Sequence, residues 1–200
     1  MAVRRLVADE RTDLVAFLRT LSDDDWEAPS LCAGWRVRDV VAHLLYDAVP
    51  VSSYLLVAAR CRAADRINEH WVDRARSLPP STLVDRLESS VGKGLFAAVA
   101  PSIALADALV HHQDIRRPLG RERTIPPERM LAVLDRPDPF ARPGPRARGL
   151  RFVATDVPWT RGDGPEVRGT GEAIALAVAG REAVLDELAG DGVAVLRGRR

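Results

Sequence analysis

The stretch RPDPFARPGPRARG, residues 136–149, carries four prolines, two glycines and four arginines, and it limits the fold more than any other segment. Proline removes amide donors, glycine frees the backbone, and almost nothing apolar remains to bury, so no packed element is expected there. Upstream, apolar residues recur at helical spacing; downstream, short alternating and glycine-rich segments take over. The sequence therefore predicts a helical domain over 1–135, a Pro/Arg-rich linker over 136–149 and a small α/β domain over 150–200.

In the first part, Leu6, Leu14, Val15, Leu18 and Leu21 mark a helix, and Ser22 before Asp23, Asp24 and Asp25 reads as a cap opening a short turn at Trp26. A loop with Pro29, Gly34 and Trp35 leads into a second helix, whose apolar stripe is Val37, Val40, Val41, Leu44, Leu45 and Ala48. It is expected to run to the low sixties with a disturbance at Pro50. Residues 81–99 look helical, Pro101 stands near the start of a further helix that Gly120 ends, and PPERMLAVLD reads as a short helix covering one end of the bundle. About four main helices result. In the last part LRFVATD alternates as a strand, EAIALAVAGREAVLDELAG reads as a helix and VAVLRG as a final strand. So little core would be marginal alone, so this lobe is expected to pack on the bundle.

Asp107 and His111 are four residues apart, which places them on one helix face, and His43 lies on the second helix. Two imidazoles and a carboxylate from two helices suit a divalent ion, as bundle metal sites do. Three protein ligands leave positions open for water or substrate, the arrangement of a catalytic site. The set suits zinc and equally serves non-haem iron. The plainer alternative is three solvated side chains, because each flanks an apolar stripe instead of lying at its centre.

With 29 basic and 28 acidic residues the net charge is +1, which gives no reason to expect nucleic acid or an acidic membrane as partner. Charges interrupt the opening residues, and no run approaches about 18 apolar residues, so neither a secretory signal nor a membrane span is expected. Cys32 and Cys61 are too few for a disulfide framework and fit two buried thiols in a reducing cytoplasm.

Three blocks carry a family resemblance. DDDWEAPSLCAGWRVRDVVAHLL has the Trp, Pro-Ser, Cys, Gly-Trp, Asp, His order, and DALVHHQDIRRPLG has an acidic residue, three spacers, His, two spacers, Asp-Ile-Arg. These resemble signatures of the mycothiol-dependent maleylpyruvate isomerase family of DinB-like metalloenzymes. ATDVPWTRGDGPEVRGTGEAIALAVAGREAVLDELAGDGVAVL resembles that family's C-terminal domain. The resemblance implies a mainly α fold, a DinB-like four-helix bundle followed by a small α/β lobe, with metal ligands at His43, Asp107 and His111. It also implies mycothiol or a related thiol as cosubstrate. Two departures stand out: the family usually has glutamate where this chain has Asp107, an arm shorter by about 1.5 Å, and His112 replaces a small residue such as glycine.

The reading that follows is a cytoplasmic, thiol-dependent metalloenzyme, an isomerase or S-transferase acting on a small electrophile, in which a divalent ion, zinc by this reading, activates the thiolate. The alternatives are a non-catalytic DinB-like binding scaffold and an iron-dependent oxidative enzyme. Arg181 is a candidate clamp for a substrate carboxylate, its planar fork matching that group, against a plain role on a helix surface. Asp39 and Asp114 are each placed to orient a ligand imidazole or to pair with nearby arginines. Trp26, Trp35 and Cys32 are expected as packing residues, and His112 as an outward-facing side chain.

Overall fold

A computed structural model describes residues 2–61 and 64–199. Contacts divide the chain into two compact units, Met1–Glu122 and Arg123–Arg200. The break lies upstream of the Pro/Arg-rich stretch, so the helix PPERMLAVLD, read from the sequence as part of the 1–135 domain, is counted with the C-terminal unit.

The first unit is helical: α1 (Ala2–Leu18), α2 (Asp23–Glu27), α3 (Val37–Leu44), a 3-10 turn (Leu45–Ala48), α4 (Val51–Cys61), α5 (Ala64–Ala75), α6 (Pro80–Ser89), α7 (Leu95–Val99) and α8 (Pro101–Arg116). Ser22 and Asp25 form the expected cap at α2: the Asp25 amide donates to Ser22 Oγ at 3.3 Å and the Ser22 amide to Asp25 Oδ2 at 3.0 Å. Leu14, Leu18, Val37, Val40, Val41, Leu83, Leu87 and Ile115 are buried in one cluster that joins α1, α3, α6 and α8. Burying such side chains contributes about 1.5–3 kcal/mol each, and this drives helices of modest length together.

Two expected helices are interrupted. The second is α3, a 3-10 turn and then α4 beyond Pro50, with the axis turning by 116°. Pro50 lacks an amide donor and disfavours helix at Val49, which is extended at ψ 156°. Its expected end in the low sixties lies at the edge of the described residues. The helix expected over 81–99 breaks at Gly92 and Gly94, both with positive φ. No single described helix is long and apolar enough to cross a membrane.

The second unit holds α9 (Pro127–Asp135), α10 (Pro143–Ala147), β1 (Arg151–Ala154), β2 (Thr160–Arg161), β3 (Glu166–Gly169), α11 (Gly171–Val178) and α12 (Gly192–Arg197). The sheet order is β2-β1-β3, with β1 antiparallel to β2 and parallel to β3, Phe152 opposite Val167. Thr170 Oγ1 caps α11 by accepting from the Ala173 amide at 3.2 Å, and Gly171 lets α11 lie close to α9, since a Cβ there would meet Met130 Cγ at 2.7 Å and force that side chain to move.

Three sequence expectations are corrected in this unit. The stretch 136–149 is not irregular throughout: it forms a 3-10 turn (Pro139–Ala141) and α10, joined at Arg142 with φ 52°, although no residue of either is buried. Proline at the first position of a helix costs nothing, since that amide has no partner anyway. EAIALAVAGREAVLDELAG is α11 followed by a 3-10 segment (Glu182–Glu187), split at Gly180 with φ 91°. VAVLRG belongs to α12, not a strand: Val193 is half-buried and Leu196 buried while Ala194 and Val195 are exposed, a three-residue spacing that suits a helix and not strand alternation. The observed fold class is nonetheless the expected one, a helical bundle followed by a small α/β unit.

Candidate metal centre

His43 occupies the last turn of α3, where Val40, Val41 and Leu44 face the core and leave it on the flank, itself buried. Asp107 and His111 stand on α8, and the three side chains converge. Asp107 Oδ1 lies 3.4 Å from His43 Nε2 and 3.4 Å from His111 Nε2, with the two rings edge to face at 4.8 Å. All three candidate donor atoms fall within 4.8 Å of one another. Donors at about 2.1 Å around a tetrahedral ion are separated by about 3.4 Å, so both oxygen–nitrogen spacings match the edge of such a shell. The shorter aspartate arm thus reaches both imidazoles, and the donor set fits zinc.

The neighbours of this centre divide in a way the sequence left open. Asp114, fully buried, meets His111 Nδ1 at 2.8 Å and so takes the orienting role. When the ring is neutral, giving Nδ1–H to Asp114 leaves the Nε2 lone pair directed at the other two donors. Asp39 does something else: it accepts from the Arg36 amide and Nε at 3.0 and 3.1 Å and lies 3.7 Å from Arg76, fixing the start of α3.

Cys32, expected as a buried filler, is half-buried beside the centre, with Sγ 3.1 Å from Asp114 Oδ2 and 3.6 Å from His111 Nδ1. The loop places it there: Ser30 Oγ accepts from the Cys32 amide at 3.1 Å and donates to the Trp35 carbonyl at 2.8 Å, while the Leu31 amide donates to the Asp114 carbonyl at 3.0 Å. Cys61 is likewise half-buried. Trp26 is a core residue as expected; Trp35 is half-buried and packs on His43 with centroids 5.5 Å apart.

Tyr46 is a neighbour that sequence reasoning missed. It is buried on the 3-10 turn and donates from Oη to Asp107 Oδ2 at 3.0 Å, with its ring edge-on to Phe96 at 5.3 Å. Its three-residue spacing from His43 was no sufficient signal, because the chain winds as a 3-10 turn only after Leu44.

Electrostatics bind the group together. Burial alone would raise the Asp107 carboxyl, but hydrogen bonds and charge from His111 and His43 outweigh it and hold Asp107 well below the carboxylate range. Burial would lower His111, yet the sulfur of Cys32 and hydrogen bonds with Asp107, Asp114 and Cys32 raise it well above its ordinary 6.5. Burial, then the charges of Asp107 and Asp47, push the Tyr46 phenol well above 10.0, so it remains a donor.

His112 corrects a further expectation: it is fully buried instead of facing outward. Its Nδ1 lies 2.8 Å from Glu10 Oε1, and its Nε2 accepts from Arg116 Nε at 2.8 Å. The physical reason is that α8 is enclosed on several sides, with nearly every residue from Ala104 to Ile115 buried, and the His112 side faces Phe17 and Glu10 of α1. Arg181 lies in the C-terminal unit immediately before the 3-10 segment, with Nη1 donating to the Ala179 carbonyl at 2.8 Å. It therefore sits at a turn, not on a helix surface, and one side of its fork is already engaged.

Comparison with known proteins gives a family match and a fold match. Residues 7–94 match the family described as the mycothiol maleylpyruvate isomerase N-terminal domain, a span that contains His43 but not Asp107 or His111. The resemblance read from the sequence holds over that span. Crystal structures of the mycothiol-dependent maleylpyruvate isomerase and of a histidine-to-alanine mutant of it are each similar to this chain at TM-score 0.64 and 16% identity, covering 95% of this chain and 92% of theirs. At that identity the likeness is one of fold. No curated protein matches the sequence significantly.

Proposed function

We propose that this protein is a metal-dependent enzyme using a low-molecular-weight thiol, mycothiol by the family its N-terminal residues match, and acting as an isomerase or S-transferase on a small electrophile in the cytoplasm. The observation that carries this reading is the convergence of His43, Asp107 and His111, with Asp107 Oδ1 3.4 Å from each imidazole Nε2, all donor atoms within 4.8 Å of one another, and Asp114 against His111 Nδ1. A divalent ion held by those three residues would lower the pKa of a bound thiol and make its thiolate available at neutral pH.

The chain's own residues account for the rest. Asp114 keeps the proton of neutral His111 on Nδ1, so that Nε2 faces inward as a donor atom. Asp107 supplies negative charge between two imidazoles, and Trp35 covers one face of His43 from water. Tyr46, Tyr54 and Phe96 form an aromatic group with centroids 5.3–6.3 Å apart, an apolar boundary that strengthens charge interactions on its inner side.

Calorimetric titration of the zinc-loaded protein with mycothiol, in buffers of different ionisation enthalpy, tests the proposal. Binding to the loaded form alone, with a proton released near neutral pH, is the expected result. Thiol binding that is absent from the loaded protein, or equally strong after chelation, would refute it and favour a non-catalytic scaffold. Stoichiometric iron in the purified protein would instead support oxidative chemistry.

A further inference from the structure

We infer that Tyr46 is a positioning residue that makes Asp107 a single-oxygen ligand, and that this is how the site operates with an aspartate. The inference rests on the metal reading above and concerns the geometry of one carboxylate.

Asp107 presents two oxygens to different partners. Oδ1 is equidistant from the two imidazole Nε2 atoms, at 3.4 Å, while Oδ2 accepts the phenol proton of Tyr46 at 3.0 Å. A carboxylate left alone can bind an ion through both oxygens, and doing so would occupy a position that an incoming thiol or electrophile needs. Holding Oδ2 prevents that. It also stops rotation about the Cβ–Cγ bond, so Oδ1 stays on the side of the two imidazoles. An aspartate has one rotatable bond fewer than a glutamate with which to correct a misplaced oxygen, so its orientation depends more on an outside partner.

The phenol is itself firmly placed. Tyr46 lies on the 3-10 turn that follows His43, its ring is 5.4 Å from that of His43 and 5.3 Å from Phe96, and only 8% of the residue is exposed. The next residue, Asp47, is pinned by Arg11 at 2.6 Å and by the Phe96 amide at 2.8 Å, so the turn carrying Tyr46 has little freedom.

Tyr46→Phe removes the hydroxyl and keeps the ring. Zinc affinity, measured by competition with a chromogenic chelator, should fall by about 10–100-fold, the usual cost of losing a partner that orients a ligand. Cobalt(II) substituted for zinc supplies a second readout that a purely structural role would not move. Its visible absorption weakens as coordination number rises, so Tyr46→Phe should absorb less strongly than wild type once Asp107 is free to bind through both oxygens. An unchanged or tighter zinc affinity, or an unchanged cobalt spectrum, overturns the inference. Should Tyr46→Phe fail to fold, X-ray absorption of the zinc-loaded wild-type protein decides it, since a carboxylate bound through both oxygens would overturn the inference and one bound through a single oxygen would support it. Wild-type protein that binds no metal, or His43→Ala protein that binds it fully, would sink the metal reading itself. Wild-type binding that His43→Ala abolishes and Tyr46→Phe leaves untouched would sink only the role of Tyr46.

Discussion

Replacing Asp47 with alanine should bring the helical unit close to unfolding, although Asp47 touches none of the three proposed ligands. Its carboxylate is fully buried, meets Arg11 Nη2 at 2.6 Å, and accepts from the amides of Phe96 and Ala97 at 2.8 and 3.3 Å. The intact ion pair is not itself a large net gain, because both charges were desolvated to form it. Removing one partner is different. A guanidinium buried without its counter-charge costs about 3–5 kcal/mol, and each orphaned buried amide about 1–3 kcal/mol. Arg11 Nη1 retains the carbonyls of Ser90 and Lys93 at 3.4 and 3.3 Å, and water can enter the vacated space, so the lower ends of these ranges apply. The total is about 4–6 kcal/mol against a domain stability of about 5–15 kcal/mol. Urea denaturation followed by circular dichroism measures it. Arg11→Met should cost less, since the carboxylate keeps its two amides, and the double variant should cost less than the sum of the two. A loss below about 2 kcal/mol for Asp47→Ala, or strict additivity, would refute the claim that this pair fastens the 3-10 turn to α1 and α7.

Two further outcomes follow from the centre. Asp114→Ala should weaken zinc binding by about 10–100-fold, whereas Asp39→Ala, whose carboxylate serves Arg36 and Arg76, should leave it unchanged; equal effects in a chelator competition would show that Asp114 does not orient His111. The metal-free protein should be most stable at mildly acidic pH. His111 is raised, so its contribution is full below about 6.5 and is lost as pH rises through its higher folded value; Asp107 is lowered, so its contribution is present above about 3.8 and is lost as pH falls toward its folded value. Thermal melts across pH check this, and a Tm that does not decline above neutrality would contradict the His111 direction.

His43, Asp107 and His111 were legible in the sequence because helical periodicity is local: four residues on one helix place Asp107 beside His111 wherever that helix lies. Cys32 and Tyr46 were not legible for the complementary reason. Cys32 arrives through a loop whose path depends on Ser30 and on a backbone bond from Leu31 to Asp114, 83 residues away in sequence. Tyr46 arrives because the helix tightens to 3-10 winding just after Leu44, which spacing alone does not reveal. His112 was misplaced because a helical wheel assumes that one side meets solvent, and α8 is enclosed. In the C-terminal unit, β1 announced itself by alternation, whereas Gly180 was read as an interior residue of a helix that it in fact ends.

The contact of His112 with Glu10 and Arg116 has a consequence for descent. Because Nε2 accepts from Arg116, the ring's hydrogen lies on Nδ1 and is given to Glu10, so an uncharged ring links an acid on α1 to a base on α8. A glycine at 112 would deprive a fully buried glutamate of that donor. Substitution at either place alone is therefore penalised in this bundle, and positions 10 and 112 should be inherited as a pair. A sequence that acquires the histidine should acquire the acid with it, so the two residues would change together wherever this packing of α1 on α8 recurs.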